Sequence, residues 1–184
     1  MKISKKLLVG YLMIAVVALG GISLLTVAAQ STEMTNQQIE LIRTNCLSAK
    51  TTLHQLHASD ALLRVNRGQL YESISTKLMN KFNSRVANNS FNSTDLNSIT
   101  KNYGLMLDTF RSDYIAYEEQ LSIALGIDCS KQPVAFYDAM SSARTKRVQV
   151  HTDVVNLNQS IAQYQLTVDQ FEKDYQTSIE GAKN

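Results

Sequence analysis

The chain has 184 residues, a formal net charge of +2, one proline and no tryptophan. Three of its lysines lie before residue 7, so the remainder is close to neutral, which argues against nucleic acid as a partner. Sparse helix breakers and helically spaced apolar residues argue against sheets and against disorder, and they predict an all-α fold.

The first predicted element is an uncharged run from Leu7 to Ala29. At about 1.5 Å per helical residue it would reach roughly 35 Å, enough to cross a hydrocarbon core of about 30 Å. Lysines within residues 1–6 predict a cytoplasmic N-terminus, which places residues 30–184 in the periplasm or outside the cell. A cleaved signal peptide is the alternative. Because its apolar core is usually only about 7–15 residues, we expect an uncleaved transmembrane signal-anchor.

A first long helix is predicted over about 35–86. Its apolar side chains recur every three and four residues, as in the buried seam of a helical bundle or coiled coil. Asp60 and Arg67 are the charged exceptions, and a one-residue slip precedes Leu78. The apolar and small seam residues are Ile39, Ile42, Cys46, Ala49, Leu53, Leu56, Leu63, Leu70, Ile74, Leu78 and Phe82.

Two further helices are predicted, over about 95–125 and 134–180. Residues 88–94, NNSFNST, form the turn before the first of them, because such side chains bond to nearby backbone. Gly126 suits the end of that helix, and Pro133 suits the first turn of the next. The apolar seams are Leu96, Ile99, Tyr103, Met106, Phe110, Tyr117 and Leu121, and then Met140, Ala143, Val150, Val154, Leu157, Ile161, Tyr164, Val168, Phe171 and Tyr175.

Cys46 and Cys129 are the only cysteines, and an oxidising compartment favours a disulfide between them. Their midpoint in the sequence falls just before the predicted turn at 88–94, so a hairpin of the first two helices would bring them together. We therefore predict a Cys46–Cys129 disulfide. The whole ectodomain is predicted to be an antiparallel, coiled-coil-like bundle of three long helices running up, down and up.

Charged residues occupy four seam positions: Asp60, Arg67, Asp113 and Arg147. The hairpin register places Asp113 close to Asp60 and Arg64, and Arg147 within a turn or two of Asp60. Unpaired buried charges are costly, so a self-neutralising buried network is the favoured interpretation. The alternatives are a carboxylate- or phosphate-binding site made by the arginines, and a seam against a second copy of the chain.

The sequence has no glycine-rich phosphate loop, nucleophile elbow or zinc-protease helix motif. His54 and His57 are three residues apart, but two histidines without a strong third ligand make a weak metal site. We therefore predict no catalytic residues, no bound metal and no cofactor.

Residues 5–25, KKLLVGYLMIAVVALGGISLL, resemble the first membrane helix of bacterial chemoreceptors and sensor kinases. The resemblance covers the anchor and the general architecture, and it implies a helical-bundle domain outside the cytoplasmic membrane. Those receptors return through the membrane to a cytoplasmic signalling region, whereas no second membrane segment follows here. We expect, therefore, that this chain alone does not pass a signal inward.

The leading functional hypothesis is a non-enzymatic, single-pass membrane protein of the cell envelope. Its helical bundle would act as a scaffold or accessory by binding another envelope protein or a second copy of itself. The alternative is a sensor-type ectodomain that binds a small carboxylate or phosphate and works with a membrane-spanning partner.

Overall fold

The computed structural model describes residues 34–181. The predicted cytoplasmic residues 1–6 and membrane span 7–29 lie outside this region, and within 34–181 no helix is long and apolar enough to cross a membrane. The described residues contain helices and short connections but no strand, so the all-α prediction is confirmed. The helices are α1 (Asn36–Thr44), α2 (Cys46–Ser73), a π-helical segment (Ile74–Met79), α3 (Asn80–Asn88), α4 (Thr94–Gly126) and α5 (Pro133–Gly181).

The bundle has three arms: residues 36–88, helix α4 and helix α5. The first arm is not the single regular helix that periodicity predicts over 35–86. Thr35 is extended, and it forms a capping box with Gln38: the Thr35 hydroxyl accepts from the Gln38 N–H at 3.3 Å, and the Gln38 side chain accepts from the Thr35 N–H at 2.8 Å. These bonds satisfy donors that a helix start leaves free, so α1 begins at Asn36. Helix α1 ends at Thr44, and Asn45 separates it from α2.

The π-helical segment rotates the buried face of the first arm. Each π turn holds more residues than an α turn, so side chains beyond it lie at a different angle. Leu78, which periodicity places in the seam, is 55% exposed, whereas Met79 is fully buried. The one-residue slip that precedes Leu78 in the sequence coincides with this segment, but the periodic pattern placed Leu78 in the core instead of its neighbour Met79.

Two buried tyrosines bind backbone carbonyls beside the π-helical segment. Tyr103 donates its hydroxyl to the carbonyl oxygen of Tyr71 at 3.1 Å. Tyr164 donates to the side-chain oxygen of Asn83 at 2.7 Å and approaches the carbonyl of Met79 at 3.3 Å. Burial raises the pKa of Tyr164 to about 12. These bonds let bulky aromatic residues fill the core without leaving their hydroxyls unpaired.

The connections between the arms lie where turn residues predict them. Helix α3 ends at Asn88 and α4 begins at Thr94, and Ser90 between them adopts a left-handed φ of 63°. Ser93 precedes α4, but its side chain makes no capping bond; Asn92 instead accepts from the Thr94 N–H at 3.0 Å. Helix α4 ends at Gly126, and α5 begins at Pro133.

The predicted disulfide between Cys46 and Cys129 is confirmed, with the Cα atoms 5.5 Å apart. It joins the start of α2 to the α4–α5 loop. Lys50 adds a bond from its ammonium to the carbonyl of Ile127 at 3.2 Å. The far end of the hairpin is joined by Asn83, whose amide donates to the hydroxyl of Thr100 at 2.9 Å. The first arm and α4 are therefore antiparallel.

Helices α4 and α5 form the closest pair in the bundle, and α2 packs on α4 without a comparable backbone approach to α5. Several buried residues on α5 are small, which lets α4 approach closely; the Gln120 side chain reaches the Ala139 carbonyl at 3.4 Å. Within α4 the core positions are Leu107 and Tyr114 rather than the predicted Met106 and Asp113. The buried side chains of α5 are Pro133, Phe136, Ala139, Ala143, Asp153, Leu157, Ser160 and Tyr164.

Loss of the disulfide should lower stability. The bond closes a loop with a sequence separation of 83, and the chain-entropy model gives a loop of this length about 4 kcal/mol. We expect the Cys46→Ser/Cys129→Ser variant and the reduced wild type to lose similar amounts in chemical denaturation. If both unfold at the same denaturant concentration as the oxidised protein, the bridge does not stabilise this bundle.

Candidate functional site

A cleft of about 840 Å³ lies between α2 and α5. Three buried aromatic residues of α4, Phe110, Tyr114 and Tyr117, form its floor. The cleft exists because α2 and α5 are both packed on α4 but not closely on each other. A cavity of this size is within the range of small-molecule sites. Its remaining lining residues are Asp60, Leu63, Arg64, Arg67, Arg144, Arg147, Val148, Val150, His151 and Val154.

The buried carboxylate of Asp60 joins all three arms of the bundle. Its Oδ2 accepts from the hydroxyl of Tyr117 on α4 at 2.7 Å and from Nε of Arg147 on α5 at 3.3 Å. Burial raises the pKa of Tyr117, and the hydrogen bond to Asp60 raises it further. The same carboxylate raises the pKa of Arg147 through its hydrogen bond. The carboxylate of Asp60 is thus paired with Tyr117 and Arg147 in the cleft wall.

Arg64 covers the ring of Tyr114. Its guanidinium carbon lies 5.2 Å from the ring centroid, and its Nη1 lies 2.6 Å from the carboxylate of Glu118. The side chain of Tyr114 is 5% exposed, and its hydroxyl has no hydrogen-bond partner within residues 34–181. A buried hydroxyl without a partner costs free energy.

Two other arginines of the cleft carry charges that the described chain does not neutralise. Arg67 on α2 and Arg144 on α5 form no ion pair within residues 34–181. Asp108 of α4 pairs with Arg111 at 3.1 Å and not with Arg67. Arg111 in turn binds Glu72 of α2. These contacts leave positive charge on both walls of the cleft.

Asp113 does not join the network at Asp60, contrary to the register prediction. It lies against the buried Asp153 of α5, because the next residue of α4, Tyr114, takes the position that faces the cleft. Burial first, and then the Asp113 charge, raise the pKa of Asp153. One oxygen of Asp153 accepts from Gln149 at 3.3 Å, and the other has no partner within 34–181.

The structure therefore divides the predicted charge set. It brings Asp60, Arg64, Arg67 and Arg147 to one cleft and separates Asp113 from them. The predicted site did not include Glu118, Tyr114, Arg144, His151 or Asp153. Tyr114, Arg144, His151 and Asp153 each lie three residues from one seam position and four from another, so they keep a helical spacing with the seam, but this spacing does not distinguish them from their neighbours.

No protein-family model, curated protein or solved structure matches this chain. The functional argument therefore depends on the geometry of the cleft and on the charges that line it.

Removing Arg147 should destabilise the protein, because Asp60 would keep its buried charge with only Tyr117 as a partner. We expect Arg147→Ala to lower the free energy of unfolding by about 2 kcal/mol, less than for a fully buried pair because Arg147 is half exposed. Arg144→Ala, on the same helix and without an ion pair in the described chain, is the matched control and should change stability by about 0.5 kcal/mol or less. Equal effects of the two substitutions would contradict a structural role for the Asp60 pair.

Asp153→Asn should stabilise the protein at neutral pH. The pKa of Asp153 is raised above its ordinary value of 3.8, so the folded state binds this proton more tightly than the unfolded state. Stability then falls as pH rises through the folded-state pKa. The substitution removes the buried charge, and we expect a gain of about 1–3 kcal/mol at neutral pH and a flatter dependence on pH. Asp169→Asn, exposed on the same helix, is the control in denaturation curves between mildly acidic and neutral pH; a loss of stability in Asp153→Asn would refute the argument.

Proposed function

We propose that this protein is a small-anion-binding domain held outside the cytoplasmic membrane by residues 7–29. The observation that carries the proposal is the cleft of about 840 Å³ that has four arginines among its lining residues and a single carboxylate. That carboxylate, Asp60, is already bound by Arg147 and Tyr117. A carboxylate or phosphate group would supply the negative charge that the cleft lacks.

The arginine side chains suit such a ligand. A guanidinium group presents planar pairs of N–H donors that match the oxygens of carboxylates and phosphates. Arg67 and Arg144 have no ion pair within residues 34–181, so neither has to leave a partner to bind an anion. Both are exposed on the cleft walls, so a ligand reaches them from solvent.

The rest of the lining indicates that the ligand also has an apolar part. Leu63 on α2 and Val150 and Val154 on α5 line the cleft together with the buried ring of Phe110. An inorganic anion would leave these surfaces in contact with water. A carboxylate or phosphate with an aliphatic or aromatic body would cover them at about 25 cal/mol per Å² of apolar surface.

We therefore rank the anion-binding hypothesis above the envelope scaffold, which is the leading hypothesis from the sequence. Intrinsic neutralisation was the reason to prefer a structural network, and it applies to Asp60 and Arg147 but not to Arg67 or Arg144. In this proposal the domain reports its ligand through a partner that crosses the membrane. The resemblance of residues 5–25 to chemoreceptor and sensor-kinase anchors supports the same compartment.

An envelope scaffold is the second candidate, and exposed apolar side chains on α2 favour it. Leu47 is 82% exposed, Leu62 69% and Leu70 56%. Such side chains on one long helix suit contact with another protein or a second copy of the chain. The two candidates are compatible, because Leu47, Leu62 and Leu70 are not among the residues that line the cleft.

The proposal is tested by thermal denaturation of the full-length chain in mild detergent, with octanoate and phenyl phosphate as probes. A ligand at one hundred times its dissociation constant should stabilise the protein by about 2.7 kcal/mol. Octanamide, which has the same chain but no charge, controls for apolar binding. Arg67→Gln should weaken the effect, whereas Arg85→Gln, exposed on α3 outside the cleft, should not. The proposal is wrong if neither anion raises the melting temperature. It is also wrong if Arg85→Gln weakens the stabilisation by the anion as much as Arg67→Gln does.

A further inference from the structure

We infer that the ligand of the cleft is an elongated dianion, with an acidic group at each end of an apolar chain. This inference rests on the proposed function and specifies its substrate class. It follows from where the arginines lie along the cleft, from what lies between them, and from the position of the Asp60 carboxylate.

Two contacts set the register of the cleft walls, α2 and α5. Asp60 of α2 binds Arg147 of α5, and further along the same arm the Met79 carbonyl lies 3.3 Å from the hydroxyl of Tyr164. The residue number rises from the first pair to the second along both the first arm and α5, so these two arms run in the same direction. Positions on the two walls can therefore be compared by counting residues from the Asp60–Arg147 pair.

The two arginines without ion pairs lie at opposite ends of the cleft. Arg67 is seven residues beyond Asp60, which at 1.5 Å per residue is about 10 Å toward the α3–α4 turn. Arg144 is three residues before Arg147, which is about 4–5 Å toward the disulfide. Their positions are thus about 15 Å apart along the helix axes. Because a charge-assisted hydrogen bond needs heavy atoms about 2.7–2.9 Å apart, one compact anion would bind both arginines only if each side chain extended several ångströms along the helix axis toward the other.

The middle of the cleft disfavours an anion. Asp60 lies between the two ends and is buried, and its carboxylate accepts hydrogen bonds from Tyr117 and Arg147. Leu63 and Val150 line the same central region and contribute only apolar surface. A carboxylate placed there would be desolvated beside a like charge, which costs free energy. A methylene chain in the centre would avoid that cost and cover the apolar walls.

Each end has a second cation. On the turn side Arg64 and Arg67 are three residues apart on α2, and His151 lies level with Arg64 by the count from the Asp60–Arg147 pair. On the disulfide side Arg144 and Arg147 are three residues apart on α5. Residues three apart on a helix lie on one face. Arg64 is paired with Glu118 and Arg147 with Asp60, so Arg67 and Arg144 are the arginines of the two ends that have no ion pair within residues 34–181, and one acidic terminus at each of them suits the cleft.

Calorimetric titration of the full-length chain in mild detergent tests the inference with succinate, pimelate and sebacate as probes. The monomethyl ester of sebacate is the matched control, since it keeps the chain and one acidic group. We expect sebacate to bind about tenfold more tightly than its ester and more tightly than succinate, which is too short to reach both ends. In Arg67→Gln and in Arg144→Gln the sebacate affinity should fall to that of the ester, while the melting temperature stays unchanged because neither arginine pairs within the described chain.

The outcomes separate this inference from the proposal beneath it. Equal affinity of sebacate and its ester would overturn the dianion and leave a single-anion site in place. Equal affinity of succinate and sebacate would also overturn it, because the arginines would then respond to charge and not to spacing. If none of these acids binds and octanoate and phenyl phosphate also fail, the anion-binding function is refuted together with the dianion.

Discussion

The close packing of α4 against α5 is the constraint on which the rest of the structure depends. Small residues such as Ala139 and Ala143 line the buried face of α5 and allow the approach. The bulky aromatic residues of α4, Phe110, Tyr114 and Tyr117, then point away from that contact, toward the space beside α2. Because their rings need room, α2 cannot pack on α5 as closely as it packs on α4. The cleft is thus a consequence of how large and small side chains are distributed over three arms.

Buried polar groups determine which helix faces which. Asp60 accepts from Tyr117 and Arg147, so a rotation of α2 about its axis would leave a charge without partners. The pairs Tyr103–Tyr71 and Tyr164–Asn83 act in the same way beside the π-helical segment. Apolar contacts alone tolerate a change of helix register more easily than hydrogen bonds do. The bundle therefore combines an apolar core with polar contacts that each admit one alignment.

The sequence was sufficient for the helical fold, for the two connections and for the disulfide, because turn residues and cysteines act locally or through simple pairing. It was insufficient for the charged site. Periodicity identifies a buried stripe but not which of two neighbouring residues faces inward. The pattern therefore selected Asp113 and Leu78 as core positions, whereas the structure buries Tyr114 and Met79. Arg144 keeps a helical spacing with Met140 and Arg147, but periodicity alone could not place it on the wall of a cleft that only the three-dimensional arrangement creates.

The two buried aspartates of the described residues, Asp60 and Asp153, lie in opposite electrostatic environments within one core. Asp60 has a tyrosine hydroxyl and a guanidinium beside it, so its charge is compensated and strengthens the contacts among the arms. Asp153 has the carboxylate of Asp113 and a single amide donor, so its ionised form is disfavoured. Residues that break the local rules of a core without compensation are often retained for function rather than for stability. Within residues 34–181 the carboxylate of Asp153 and the hydroxyl of Tyr114 are the groups that break these rules, and packing of the three arms does not by itself account for them.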